Sequence, residues 1–304
     1  MNRRVAAFAR LARPTFLVGG FVSVGLGTAI AAFVSGGAVD WQAWLEAQTA
    51  VTAAHLMTHF ANDYFDRHAD VHTTPTAFSG GSGVLVGGFL GPRIAIRAAL
   101  VWAACALGGI AWLDASGHEA AAWLALAIAI LAWTYSAPPI RLLARGLGEL
   151  DAVLIVAVLA PLCAAAVQGF RFNIDTLTAT LPGAAAMFAM MLAVEVPDLG
   201  ADALGGKRNL VVRFGRRRTA TLASFAITGV YVGVALAVVK GAPLAVAILE
   251  CVTIPAAVGL AGAFRRAARD PSEGAAVAAR GVAFFFLVTF LELLGFLVPL
   301  QWRI

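Results

Sequence analysis

The sequence predicts an all-α integral membrane bundle of about nine transmembrane helices with a cytoplasmic N-terminus. Three observations lead there: an apolar excess that no soluble core absorbs, a series of apolar runs of near-spanning length, and a one-sided distribution of basic residues. Hydrophobic residues make up 61% of the chain and charged residues 13%. Soluble domains carry about 25% charged residues, so the excess apolar surface needs a bilayer to face. Glycines are scattered among Leu, Val and Phe, as in membrane helices that pack through small residues.

The apolar runs fall near Thr15–Val34, Trp41–Ala61, Ala95–Leu113, Ala120–Tyr135, Ala152–Val167, Leu177–Val194, Thr219–Val239, Leu244–Phe264 and Val282–Leu300. A span needs about 20 residues; the fourth and fifth are short as drawn. The basic N-terminus resembles a signal peptide, but the run from Phe16 to Val34 is too long for a signal core and further spans follow, so it reads as a retained first helix.

With the N-terminus inside, nineteen Lys and Arg fall on inner segments and only Arg171, Lys240 and Arg303 on outer ones. One helix more or fewer would destroy this asymmetry, so it supports both the topology and its direction. It also explains the net charge of +5 without nucleic acid. Cys105, Cys163 and Cys251 sit in apolar runs and show no metal spacing. The inner connections Asn62–Gly91 and Pro197–Arg218 are the long ones, as functional loops tend to be. No linker divides residues 1–304, which read as a single domain.

The candidate chemistry lies on those inner segments. The second run ends in Asn62-Asp63-x-x-Asp66-x-x-x-Asp70. If the helix continues past the membrane face, Asn62, Asp66 and Asp70 share one stripe, with Asp63 on its edge. Three carboxylates this close repel one another, and Mg²⁺, which prefers carboxylate and phosphate oxygens, removes that repulsion. The bland alternative is a solvated helix end. The sixth run leads into Glu195-Val-Pro197-Asp198-x-x-x-Asp202, with Lys207 and Arg208 close behind. Pro197 should end that helix. Two acidic clusters on one membrane side, with cations between them, suit Mg²⁺-bridged diphosphate.

Other inner residues admit two readings each. Arg141 and Arg145, four apart, either clamp diphosphate oxygens or are ordinary inside arginines. Tyr135 lines a reaction chamber or belongs to the interfacial aromatic belt. The run Phe78–Gly83 presents backbone N–H groups to phosphates or forms a flexible lid. His55 and His59 lack the glutamate of a zinc-protease motif and read as cavity lining. Glu195, Glu250 and Glu292 have no assigned role, although an intramembrane carboxylate is a functional candidate by default.

These motifs resemble the UbiA superfamily of intramembrane prenyltransferases. The resemblance rests on Arg13-Pro14-Thr15, N-D-x-x-D-x-x-x-D at Asn62–Asp70, Y-S-x-P-P at Tyr135–Pro139, and D-x-x-x-D at Asp198–Asp202 followed by Gly206-Lys207. The run at Gly80–Gly88 looks most like the 1,4-dihydroxy-2-naphthoate prenyltransferase branch of menaquinone synthesis. The resemblance implies a helical bundle in the inner membrane, with a central cavity open to lipid. It implies one Mg²⁺ on Asp63, Asp66 and Asp70, a second on Asp198 and Asp202, and diphosphate contacts from Asn62, Lys207, Arg141 and Arg145. It makes the partners a prenyl diphosphate, an aromatic acceptor and the bilayer, with no obligate protein partner. The acceptor stays open among dihydroxynaphthoate, a hydroxybenzoate, an ether lipid, and haem or chlorophyll precursors. A cation-coupled transporter is the competing class. It predicts carboxylates near the bilayer midplane, whereas these clusters lie at the inner surface.

Overall fold

The computed structural model describes residues 3–170 and 174–299. Among them every regular element is helical. Helix α1 (Arg3–Leu11) leads into α2 (Pro14–Ser35), which opens on a proline, where the missing N–H loses no helical bond. Helix α3 (Trp41–Asp70) is capped by Asp40, whose carboxylate accepts the Ala43 amide at 3.0 Å. Then come α4 (Pro92–Ala115) and α5 (Glu119–Thr134). Helix α6 (Gly148–Ala152), a π-helical stretch (Val153–Leu159) and α7 (Ala160–Val167) run on as one rod. Helices α8 (Ile174–Thr178) and α9 (Leu181–Glu195) follow, then α10 (Leu199–Leu204) and α11 (Leu210–Val239). The last are α12 (Leu244–Glu250), α13 (Ile254–Ala267) and α14 (Gly274–Leu297).

Among the described residues, seven helical stretches are long and apolar enough to cross a membrane, which makes this a multi-pass membrane protein. Helix α5 is shorter, at 16 residues. Helix α3 is long enough but more polar, because it continues into the acidic motif and buries Glu46 near its start. Ser116 donates to that glutamate at 3.0 Å, which ties the turn after α4 to α3.

The structure departs from the sequence reading in four places. The fifth span widens into a π-helix just before Pro161, which has no N–H for the normal i→i−4 bond. The expected loop Pro197–Arg218 is largely helical: α10 fills its first part, and α11 starts at Leu210 under an Asn209 cap that accepts the Val212 amide at 2.9 Å. Gly215, at φ 69°, breaks α11 soon after that start. The last span begins earlier than expected, at Gly274. Arg171, Leu300 and Arg303 lie outside the described residues.

The bundle packs as two halves. One apolar cluster joins α9, α11, α13 and α14, and another joins α3, α4, α5 and α7. In lipid, such contacts rely on close approach of small residues rather than on water exclusion. Gly27 of α2 is the tightest case, because a Cβ there would overlap the carbonyl of Pro161 in α7. Gly27→Leu is therefore expected to lower the melting temperature of the purified protein by the several degrees that overpacking of about 1–3 kcal/mol implies. An unchanged melting temperature would show that the α2–α7 contact is not close.

Candidate active site

The acidic motif is helical because α3 continues unbroken past Ala61 to Asp70, and Asp63, Asp66 and Asp70 are buried. Asn62 Nδ2 donates to Asp66 Oδ2 at 2.9 Å and to Ser136 Oγ at 3.0 Å. The expected stripe is thus in place and is tied to the segment after α5. Asp63 points elsewhere. It forms an ion pair with Arg13, and its other oxygen accepts from Ser82 Oγ. Arg13 also donates to Asn62 Oδ1 at 3.1 Å. Asp63 thus anchors the N-terminal arm and the glycine loop, behind the wall of the acidic cavity.

Lys207 stands at the centre. Its Nζ lies 3.2 Å from Asp66 Oδ2, 3.2 Å from Asp202 Oδ1 and 4.0 Å from Asp70 Oδ1. Asp202 keeps its second oxygen on Asn209 Nδ2, at 2.8 Å. Asp198 Oδ2 accepts the Gly80 amide at 2.7 Å, which pins the Phe78–Gly83 loop across the cluster. Gly80, Gly81 and Gly83 all have positive φ, and a side chain on Gly81 would strike the Asp70 carboxylate. The amides of this loop therefore serve the aspartates in this structure. Arg141 Nη2 is 3.9 Å from Asp66 Oδ1. Arg145 turns away and donates to the Pro139 carbonyl at 2.9 Å, so the two arginines do not act as one clamp.

Crowding is visible in the electrostatics. Burial, reinforced by Asp66 and Asp63 and opposed by Lys207, pushes Asp70 up to about 7. Burial and the neighbouring Asp202 push Asp198 up to about 6, against the Gly80 amide and Lys207. Asp202 is raised by burial, against Lys207. For Lys207, burial pulls downward, but Asp66, Asp202 and Asp70 together hold the ammonium above the ordinary lysine value. The ammonium therefore stays charged and the carboxylates share it.

Asn62, Asp66, Asp70, Asp198, Asp202 and Lys207 line one polar cavity of about 360 Å³, within the usual range for ligand sites. The two acidic motifs thus meet at one end of the bundle. A second, apolar cavity adjoins the first, and Arg13, Phe16, Asn62, Phe78, Tyr135, Met191 and Val194 line both. Tyr135 therefore sits on the boundary of the two chambers. His55 and His59 line the apolar one with their rings 4.5 Å apart, and His59 Nδ1 lies 2.7 Å from the Ala12 carbonyl oxygen. Glu195 lines the polar cavity, whereas Glu250 and Glu292 line neither. Sequence reasoning undervalued Arg13, the Ser82 hydroxyl and Asn209. Of these, only Arg13 carried a signal, in its position directly before Pro14.

The residues present fit a hard divalent cation. Among the described residues, no three His, Cys, Asp or Glu side chains converge into a ready-made cage. Mg²⁺ does not need one, because it takes one or two carboxylates and completes its shell with water and phosphate. Four aspartates open on the polar cavity, and the buried Asp198 Oδ1 has no hydrogen-bond partner. The donors are all oxygen, which disfavours soft metals.

Known proteins agree with this architecture. The chain is 25% identical over 225 residues to the 1,4-dihydroxy-2-naphthoate octaprenyltransferase of Bacillus subtilis (strain 168), covering 73% of this chain and 71% of that protein. Its fold is similar to that of a UbiA homolog from Archaeoglobus fulgidus, with a TM-score of 0.69 at 16% identity over 97% of this chain and 99% of the other. The same homolog bound to GPP and Mg²⁺ matches with a TM-score of 0.64 at 16% identity, covering 93% and 99%. Residues 21–290 match the UbiA prenyltransferase family, and the chain belongs to that family of prenyltransferases.

Proposed function

We propose that this protein transfers a polyprenyl group from a prenyl diphosphate to an aromatic acceptor of quinone biosynthesis, 1,4-dihydroxy-2-naphthoate, with Mg²⁺. The observation that carries the reading is the polar cavity, where Asp66 and Asp202 share the Lys207 ammonium beside an apolar chamber. The likeness to the Bacillus subtilis enzyme supports the choice of acceptor. The positive-inside count supports nine spans, with α3 and α5 among them, and an active site on the cytoplasmic face of the inner membrane.

In this mechanism Lys207 and Arg141 bind the diphosphate oxygens, and Asn62 orients Asp66. Asp66 and Asp70 from α3, with Asp198 and Asp202 from the segment after α9, would hold Mg²⁺, which when bound would supply the charge neutralisation that lets diphosphate leave. The prenyl chain lies in the apolar chamber, where Ile128, Val156, Met187 and Met190 keep water from the allylic cation. Tyr135, which lines both cavities, would line the reaction chamber where they meet.

The test is mass spectrometry of products from geranylgeranyl or longer diphosphates offered with a panel of aromatic acids and a glycerol-phosphate ether lipid. Prenylated dihydroxynaphthoate is the expected product; another prenylated acceptor in its place would overturn the assignment. A pH effect follows as well. Asp198 and Asp70 hold protons below about pH 6 and 7, and a metal must displace them. The Mg²⁺ concentration for half-maximal activity is therefore expected to rise as pH falls from about 8 to about 6. A requirement independent of pH over that range would show that these two carboxylates are not ligands.

A further inference from the structure

The apolar chamber contains one group that the reading above leaves without a role. Asp151 lies in α6, and its carboxylate lines that chamber. It is only 5% exposed, and both of its oxygens are buried without a hydrogen-bond partner. A buried acceptor pair with nothing to accept from is costly, by about 1–3 kcal/mol or more for a charged group, and calls for a partner: a ligand, a water or an ion. No other Asp or Glu lines this chamber among the described residues. The same chamber is also lined by the aromatic and imidazole groups of Phe16, Phe78, His55 and His59. Such surfaces suit a flat aromatic ring. Tyr135 and Asn62, shared with the polar cavity, place this slot next to the diphosphate end.

We propose that Asp151 receives a hydroxyl of the aromatic acceptor and acts as the base that removes its proton during prenyl transfer; this rests on the aromatic-acceptor reading above. The acceptor's O–H bond breaks and its proton passes to an Asp151 oxygen. The freed electron pair feeds the ring, and a ring carbon forms the new C–C bond with the allylic carbon. The allylic C–O bond breaks, and its electron pair leaves on the diphosphate. Asp151 then returns its proton to the ring oxygen as the substituted carbon loses its own proton to the diphosphate. No further reactant is needed. His59 is the weaker candidate for this role, because its Nδ1 is engaged with the Ala12 carbonyl.

The test compares the wild type with Asp151→Asn, a near-isosteric change that removes the base and keeps the volume. With Mg²⁺ present, affinity for geranylgeranyl diphosphate should stay within about twofold, which also reports that the variant is folded. Prenylation of the aromatic acceptor should fall by at least about 100-fold, the lower end of what a general base contributes. Turnover within threefold of the wild type overturns the proposal, as does loss of donor binding in step with turnover. A second measurement needs no variant: the acceptor with its hydroxyls methylated should not be prenylated by the wild-type enzyme, and its turnover overturns the proposal as well. If the wild type prenylates no aromatic acceptor, both this proposal and the acceptor assignment fall. Active wild type beside equally active Asp151→Asn removes this one alone.

Discussion

Asp66→Ala is expected to reduce prenyl transfer by about 10³-fold at saturating Mg²⁺ while leaving a folded protein. Asp66 meets Asn62 at 2.9 Å, Lys207 at 3.2 Å and Arg141 at 3.9 Å. Removing it takes away a proposed metal ligand and frees the cations meant for the diphosphate. Losing one electrostatic partner at a reacting centre typically costs about 10²–10³ in rate, and here ligand and orientation go together. The fold should survive, because Lys207 keeps Asp202 at 3.2 Å and Asp70 at 4.0 Å. Asp198→Ala should act in the same direction and also release the glycine loop, which hangs on that carboxylate through Gly80. The readout is product formed from a prenyl diphosphate and the acceptor, beside the melting temperature of each variant. Near-normal turnover in Asp66→Ala would remove the acidic cavity from the chemistry.

What could be read from the sequence was local. The apolar runs Thr15–Val34 and Ala95–Leu113 located α2 and α4 because a stretch long enough to span lipid shows in composition alone. The stripe Asn62, Asp66, Asp70 followed from helical spacing alone. Pro197 marked the end of α9 at Glu195, two residues before it. The partnerships across the site left no such trace. Arg13 finds Asp63 fifty residues away, and Gly80 finds Asp198 at a separation of 118. In the sequence, Arg145 is spaced to pair with Arg141, and Arg13 is marked only by its place before Pro14; packing sends Arg13 to an aspartate and Arg145 to a backbone carbonyl. The segment Pro197–Arg218 read as a loop because its charges mask helices held by tertiary contacts. Asp151, one residue before the fifth apolar run, carries no local sign of burial, because its place against the chamber depends on five other segments.

Lys207→Gln is expected to cause the second large effect, and its form distinguishes a structural ammonium from a catalytic one. Three carboxylates now share this single cation, whose side chain is 9% exposed. Breaking a buried charge pair from one side costs about 3–5 kcal/mol, because the acids left behind repel one another without water to screen them. In chelator, the variant should therefore melt well below the wild type. A divalent cation binding the same aspartates replaces the missing charge, so added Mg²⁺ should recover most of that difference, by the usual coupling of a ligand to the folded state. Catalysis should not recover with it. If Lys207 moves from the carboxylates to the leaving diphosphate once a metal takes its place, Lys207→Gln stays about 10²-fold slow in excess Mg²⁺. Melting temperatures in chelator and in Mg²⁺, set beside turnover, separate the two roles. An equal loss of stability in both conditions would mean that ammonium and metal do not compete for the same carboxylates, and that the metal binds somewhere other than this cavity.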